Sequence, residues 1–115
     1  MARVTHTAVT LGSPYQTDGV NLTILAADAT NFEQVTHTGK EIIIARNTGA
    51  GARTVTITST ADPQGRTLDI TADSLAAGEI HAYGPFAIDG WRQTNNYLYF
   101  QASHAEVLFS VIRLP

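Results

Sequence analysis

Apolar and polar residues alternate along most of the chain, which is the periodicity of a β-strand rather than of a helix. The segment RTVTITST at 53–60 places Val55 and Ile57 on one face and threonines on the other. The turn-forming letters ADPQG follow, and RTLDITA then resumes the alternation with Leu68, Ile70 and Ala72 inward. Together the two segments predict a β-hairpin with a threonine-covered outer surface.

Further strands are predicted on both sides of this hairpin. EIIIARN is a short apolar run between glycines, with the length of a strand that is buried on both faces. NYLYFQAS turns Leu98, Phe100 and Ala102 inward and Tyr97 and Tyr99 outward. VTHTAVTL, VNLTILAA and EVLFSVIRL are additional strand candidates.

ATNFEQV is the one segment interpreted as a short helical turn, because Thr30 or Asn31 could cap it. No segment shows the periodicity of a helix over ten or more residues.

EIHAYGPFAIDGWRQ predicts a strand that ends in a corner. Its alternation places Ile80 and Ala82 inward and His81 and Tyr83 outward. The strand has to stop at Gly84–Pro85, because glycine accepts a positive φ and proline has no N–H for the ladder.

The residues after this stop are expected to close one end of the core. Phe86 and Ile88 are apolar and are predicted to pack over it. Asp89 and Gly90 form a turn, and Trp91 is expected to begin the next extended segment.

The pattern as a whole predicts an all-β fold, an antiparallel β-sandwich or jelly-roll-like barrel of about eight or nine short strands. The length of 115 residues suits a single domain over 1–115. Residues 1–19 carry the weakest pattern and are interpreted as a flexible N-terminal arm, with GSPYQTDG as its mobile loop.

Composition excludes several classes of partner. The formal net charge is −3 and no cluster of Lys and Arg occurs, so binding to nucleic acid or to an anionic membrane is not expected. The N-terminus lacks the apolar core of a signal peptide, which predicts synthesis in a cytoplasm. Only 15% of residues are charged, which leaves wide areas that a protein partner could cover without burying charge.

The sequence offers no catalytic, cofactor or metal site. The four histidines lack the His-x-His spacing that places two imidazoles on one face of a strand, and there is no cysteine. Gly49 and Gly51 lead into a strand, whereas a phosphate-binding loop leads into a helix. Asp18 and Asp89 stand in Asp-Gly pairs and are interpreted as turn residues. We therefore expect a protein that is not an enzyme and that needs no cofactor.

The aromatic residues are the candidate contact residues. Tyr83, Trp91, Tyr97 and Tyr99 are predicted as an interface, and Trp91, Tyr97 and Tyr99 alternatively as a platform on which sugar rings stack. A third interpretation is that these side chains fill a second small core between layers.

The order of features from residue 39 to 115 resembles a known group of proteins. GKEIIIARN, a Gly/Ala loop, TVTITST, GRTLDIT, LAAGEIHAYGPF and a final apolar strand follow one another. This order is similar to that of small head decoration and stabilisation proteins encoded beside the major capsid protein of tailed bacteriophages.

The resemblance implies a structural virion protein that binds the outside of a phage head and bridges its capsid subunits. It also implies that the major capsid protein is the partner and that the chain forms a homo-oligomer, with a trimer favoured. The alternative function is a carbohydrate-binding β-sandwich module.

Overall fold

The computed structural model describes residues 3–12 and 18–115, and these residues form ten β-strands and no helix. The strands are β1 (Val4–His6), β2 (Val9–Thr10), β3 (Ile24–Ala26), β4 (Glu33–Thr36), β5 (Glu41–Asn47), β6 (Arg53–Thr58), β7 (Ile70–Leu75), β8 (Ile80–Tyr83), β9 (Tyr97–Ala102) and β10 (Val107–Arg113). The predicted all-β class is confirmed.

The strands form two sheets. Sheet A has the order β1-β4-β9-β6-β7, and sheet B has the order β2-β10-β5-β8, with β3 also pairing with β10. Two pairs are parallel, β1 with β4 and β2 with β10, and the others are antiparallel. The sheets are therefore mixed rather than purely antiparallel.

The N-terminal segment gives one strand to each sheet, β1 to sheet A and β2 to sheet B. Residues 4–10 thus belong to the sandwich. Residues 13–17 of the predicted mobile loop GSPYQTDG lie outside the described residues.

The core lies between the sheets, where both contribute alternate side chains. Val55, Ile57, Leu98 and Phe100 are fully buried, as the alternation predicts. Phe109 of sheet B meets Phe100 of sheet A edge to face, with ring centroids 4.8 Å apart. Such pairs add to the free energy gained by burying the rings themselves.

Two details of the predicted strands are wrong. In β5 one face is fully buried, whereas Ile42 and Ile44 on the other face are only half-buried. In the predicted hairpin arm, Leu68 is 82% exposed and precedes the strand, and Ala72 is exposed with a positive φ of 50°. A bulge between Val55 and Ile57 shifts the register there, so that strict alternation does not continue across the hairpin.

The sequence predicts that the segment ATNFEQV forms a helical turn capped by Thr30 or Asn31. It does form a turn, but Asp28 caps it. The carboxylate of Asp28 accepts hydrogen bonds from the backbone N–H groups of Thr30 at 2.9 Å and Asn31 at 3.0 Å. Phe32 follows with a positive φ of 67°, and Glu33 begins β4. The turn-forming role therefore belongs to Asp28 rather than to Thr30 or Asn31.

Candidate interaction surface

The outer face of sheet B is apolar, and most of its side chains are exposed or half-buried. We call it the apolar face. It consists of Leu22, Ile24, Ile44, Ile80, Ala82 and Leu108. Ile80 is 60% exposed and Ile24 is 58% exposed, and the others are exposed or half-buried.

Strand register makes these side chains neighbours. Leu108 of β10 lies opposite Arg46 of β5, and Arg46 lies opposite Ile80 of β8. One pair of residues further along, Ile44 of β5 lies opposite Ala82. Because residues directly opposite each other on one face are within contact distance, the exposed side chains form one surface across the strands.

The apolar face contains a hollow of about 180 Å³ with a polar atom inside it. Ser110 projects into this hollow between Ile24 and Ile44, its partners in register. Its hydroxyl is buried and has no hydrogen-bond partner in the described chain. A buried hydroxyl without a partner costs free energy.

Arg46 is the charged residue of this surface. It is exposed at the end of β5, and its side chain forms no ion pair or hydrogen bond with residues 3–12 or 18–115. The guanidinium group therefore presents its donors beside Leu108 and Ile80.

The outer face of sheet A has the opposite chemistry, and we call it the polar face. It carries Gln34, Thr54, Thr56, Thr58, Tyr97, Tyr99 and Gln101. Tyr97 and Tyr99 face outward as predicted. The Arg3 guanidinium lies 3.9 Å from the centroid of the Tyr99 ring, and the Asn95 side chain donates a 2.7 Å hydrogen bond to the Tyr99 hydroxyl.

The expected outward orientation of Tyr83 is wrong. Tyr83 is 8% exposed and belongs to the core, whereas Ile80 and Ala82, predicted inward, face solvent. The Tyr83 hydroxyl donates a 2.6 Å hydrogen bond to the carboxylate of Asp73, which also accepts at 2.8 Å from Nδ1 of His81. The phenol is thus buried with its polar group satisfied.

Asp73 links the edges of the two sheets, since it lies on β7 of sheet A and both its partners lie on β8 of sheet B. The hydrogen bonds from Tyr83 and His81 hold the pKa of Asp73 below its ordinary value. Burial, together with the bond to the Asp73 carboxylate, raises the pKa of Tyr83.

The Gly84–Pro85 corner forms as predicted, with a cis peptide bond and a φ of 109° at Gly84. A Cβ at Gly84 would lie 2.8 Å from the backbone oxygen of Glu41, so the position requires glycine. Phe86 is buried as expected, and its backbone oxygen is 2.9 Å from Nε2 of His37. Ile88, predicted to pack with it, is instead 45% exposed.

Trp91 lies in a turn rather than at the start of a strand. The backbone N–H groups of Trp91 and Arg92 both donate to the carbonyl of Ile88, at 3.4 and 3.1 Å. The half-buried indole packs against Phe86, with ring centroids 4.8 Å apart. Trp91 therefore lies in a turn, whereas Tyr97 and Tyr99 lie on the outer face of β9. The four residues predicted as an interface do not form one surface.

A second concave feature lies beside Trp91. A cleft of about 490 Å³ separates the loop between β6 and β7 from the turn at 88–91. We call it the loop cleft, and its lining includes Thr60, Asp62, Arg66, Leu68, Asp89 and Trp91. The Thr60 N–H donates to the Gly90 carbonyl at 2.8 Å, which joins the two walls.

The sequence interpretation missed the apolar face because it assigned Ile80 and Ala82 to the core. A signal was present in the apolar runs of β5 and β10, where consecutive residues are apolar on both faces. Such runs indicate a strand that is covered on both sides, by its own chain or by a partner.

Within the described part of the chain, no three His, Asp or Glu side chains come together in a way that could hold a metal ion. The same residues contain no helix long and apolar enough to cross a membrane. Comparisons with protein-family models, with curated proteins and with solved structures find no match to this chain.

Proposed function

We propose that this chain is a structural virion protein, a decoration protein that binds the outside of a tailed-phage head and stabilises it by bridging neighbouring capsid subunits. The order of motifs between residues 39 and 115 suggests this role, and the apolar face is the observation that carries it. The protein acts at the capsid surface after synthesis in the host cytoplasm, and it acts by binding rather than by catalysis.

The continuity of the apolar face supports a docking role. Apolar patches of a few hundred Å² on a soluble protein mark interaction sites. The face occupies two rows in the strand register, which lie about 7 Å apart at a rise of about 3.4 Å per residue: one holds Ile24, Ser110, Ile44 and Ala82, and the other holds Leu108, Arg46 and Ile80. Its side chains stand on four neighbouring strands about 4.8 Å apart, so the face extends about 19 Å across sheet B.

Arg46 argues against a second copy as the occupant of the face and favours a partner that carries a carboxylate, as a capsid protein can. Two apolar faces packed on each other about a two-fold axis would bury two guanidinium groups and no carboxylate from either face. A partner surface that is apolar and carries one Asp or Glu opposite Arg46 satisfies both the apolar side chains and the charge.

The trimeric state belongs to the same proposal. A face of two rows of side chains is smaller than the about 800 Å² per partner of a typical stable interface. A trimer that presents three such faces to one shell multiplies a weak single contact into a strong combined one. The copies associate through surfaces other than the apolar face.

Co-sedimentation with head shells tests this function. Shells assembled from the major capsid protein encoded beside this chain are mixed with the purified protein and pelleted. We expect the wild type to pellet with the shells, and Ile80→Lys to stay in the supernatant because it places a charge in the apolar face.

The matched control is Leu68→Lys, which introduces the same charge at an exposed leucine of the hairpin loop, away from the apolar face. We expect this variant to pellet like the wild type. A folded wild-type protein that never pellets would exclude the decoration role. Pelleting of Ile80→Lys at the wild-type level would exclude the apolar face as the docking surface.

A further inference from the structure

We propose that the loop cleft is a binding site for a neutral saccharide, which is a function beyond capsid docking. The volume of about 490 Å³ lies within the range of about 300–1,000 Å³ that ligand pockets occupy. The cleft is formed by loops at one end of a sandwich, where rigid strands commonly position binding loops.

The walls of the cleft are held in place before any ligand arrives. One Asp62 carboxylate oxygen accepts from the N–H of Gln64 at 2.9 Å and of Arg66 at 3.0 Å, and the other accepts from Arg66 Nε at 3.0 Å. Thr60 joins this loop to Gly90 of the opposite wall. A fixed site loses little conformational entropy when it binds a ligand.

An apolar surface for a sugar ring is provided by two side chains. The Trp91 indole is half-buried and is held against Phe86, and its Nε1–H donates to no group in the described chain. Leu68 adds an apolar side chain that is 82% exposed. The C–H groups of a pyranose ring pack on an indole face, while the indole N–H can donate to a hydroxyl.

Hydrogen-bond donors and hydrogen-bond acceptors both line the loop cleft. The Arg66 side chain is 77% exposed and uses Nε for Asp62, so its terminal nitrogens have no partner among the described residues. Asp89 offers a carboxylate from the other wall. A saccharide hydroxyl both donates and accepts, and charge-assisted hydrogen bonds of this kind are the stronger ones.

The charge and the aromatic content of the cleft argue against anions and quaternary amines as ligands. Asp62 and Asp89 outnumber Arg66 by one negative charge, so phosphates and other anions are repelled. A quaternary amine requires several aromatic faces around the cation, and the cleft offers Trp91 alone. A neutral ligand rich in hydroxyl groups matches what remains.

The cleft and the apolar face can be occupied together. β8 is an edge strand of sheet B that carries Ile80 and Ala82 of the apolar face, and Tyr83 at its end precedes the corner leading to Trp91. The apolar face lies on the outer face of sheet B, whereas the loop cleft lies between the β6–β7 loop and the turn at 88–91, and the two share no lining residue. A protein docked through the apolar face leaves the loop cleft open to solvent.

Trp91 is the only tryptophan of the chain, so its fluorescence reports on the cleft directly. We titrate the full chain with glucose, galactose, mannose, N-acetylglucosamine, and cello- and chito-oligosaccharides, and with inorganic phosphate as the anionic probe. We expect a saturable change in emission with at least one saccharide and none with phosphate.

Arg66→Ala is expected to weaken the binding saccharide about tenfold, the loss typical of a charged hydrogen-bond donor, and Asp89→Asn is expected to weaken it as well. Arg46→Ala, an exposed arginine of the apolar face, is the matched control and is expected to bind like the wild type. Absence of a saturable response to every saccharide, saturable binding of phosphate, or wild-type affinity in Arg66→Ala would each overturn the proposal. None of these results depends on binding to capsids.

Discussion

The outer faces of the two sheets share the same strand geometry and differ in chemistry. On the polar face, Gln34, Tyr99 and Thr58 lie opposite one another across three strands of sheet A. On the apolar face, the corresponding neighbours across sheet B include Ile44 and Ala82. Each face is built from alternate residues of strands whose other side chains fill one common core.

This difference distinguishes exposed polar residues, which are stable in contact with water, from exposed apolar residues, which are stabilised only by burial. Threonine and glutamine keep their hydrogen bonds to water, so the polar face is stable as it stands. Exposed isoleucines gain free energy only when something removes them from water, at about 25 cal/mol per Å² of apolar surface. The apolar face is therefore the surface that association would stabilise.

The two sheets also differ in how they bury a glutamate. Glu41 of sheet B accepts two 2.7 Å hydrogen bonds from Thr38 and one from Arg113. Burial alone would raise the pKa of Glu41, but these bonds outweigh it and lower the pKa. Glu33 of sheet A accepts from the Asp28 N–H, its Oε2 has no partner in the described chain, and burial raises its pKa to about 7.

The largest effect is expected at Glu41. Glu41→Gln removes the charge that pairs with Arg113 inside the fold, and loss of one partner of a buried ion pair costs on the order of 3 kcal/mol. The free energy of unfolding from urea titration at pH 7 measures this. The wild-type contribution is present above the ordinary carboxyl pKa and is lost as pH falls through the lowered pKa of Glu41. An unchanged unfolding midpoint in Glu41→Gln would contradict the assignment.

Glu33→Gln is expected to act in the opposite direction. A carboxyl whose pKa is raised stabilises the fold fully below its ordinary value of 4.5, and this stability is lost as pH rises through about 7. At pH 8 the glutamine variant should be roughly 2 kcal/mol more stable than the wild type. At about 1.4 kcal/mol per pKa unit, the rise from 4.5 to about 7 corresponds to about 3.5 kcal/mol, and burying an amide NH₂ group where Oε2 has no partner offsets part of it. Thermal unfolding at pH 5 and pH 8 checks this, and equal gains at both pH values would refute it.

A smaller effect is expected where the two sheets are joined. Tyr83→Phe removes the hydrogen bond to Asp73 and should cost about 1 kcal/mol, because Asp73 is partly exposed and water compensates in part. The Asp73 carboxyl also stabilises the fold above its ordinary pKa of 3.8, and this is lost as pH falls further. In Tyr83→Phe we expect a shallower acid-induced decline, measured by urea unfolding between pH 6 and pH 3. A decline as steep as that of the wild type would rule out this link.

The smallest effect on stability, and the sharpest contrast between the faces, is expected from Ile80→Thr. The substitution should change the free energy of unfolding by no more than about 0.5 kcal/mol, as at other surface positions. It should also reduce the fluorescence of a hydrophobic dye bound to the native protein. Thr58→Ser on the polar face is the control and should leave dye binding unchanged. Equal dye binding by the wild type and Ile80→Thr would remove the distinction between the two faces.

Much of the fold follows from residue patterns. The inward positions Val55, Ile57, Leu98 and Phe100 are fixed by alternation, because a strand with one polar face has one way to bury its apolar residues. The Gly84 corner is likewise predictable, since its backbone needs a residue without a side chain. Pairing order, including the parallel pairs of β1 and β2, depends on contacts distant in sequence and has no local signature.

The candidate surface is less predictable from the sequence. In IHAY either set of alternate residues could fill the core, and the hydrogen bond that the Tyr83 hydroxyl donates to Asp73 favours the arrangement with Tyr83 inside. Asp73 lies on another strand, so the choice cannot be made from β8 alone. The loop cleft depends in the same way on two loops that meet only in the folded chain.

The most direct test of the central claim is a cryo-EM reconstruction of head shells decorated with this protein. We predict that Ile44, Ile80 and Leu108 contact the shell, that a capsid carboxylate faces Arg46, and that the polar face with Tyr99 and Thr56 remains in solvent. A reconstruction in which the polar face contacts the shell and the apolar face stays exposed would contradict the account.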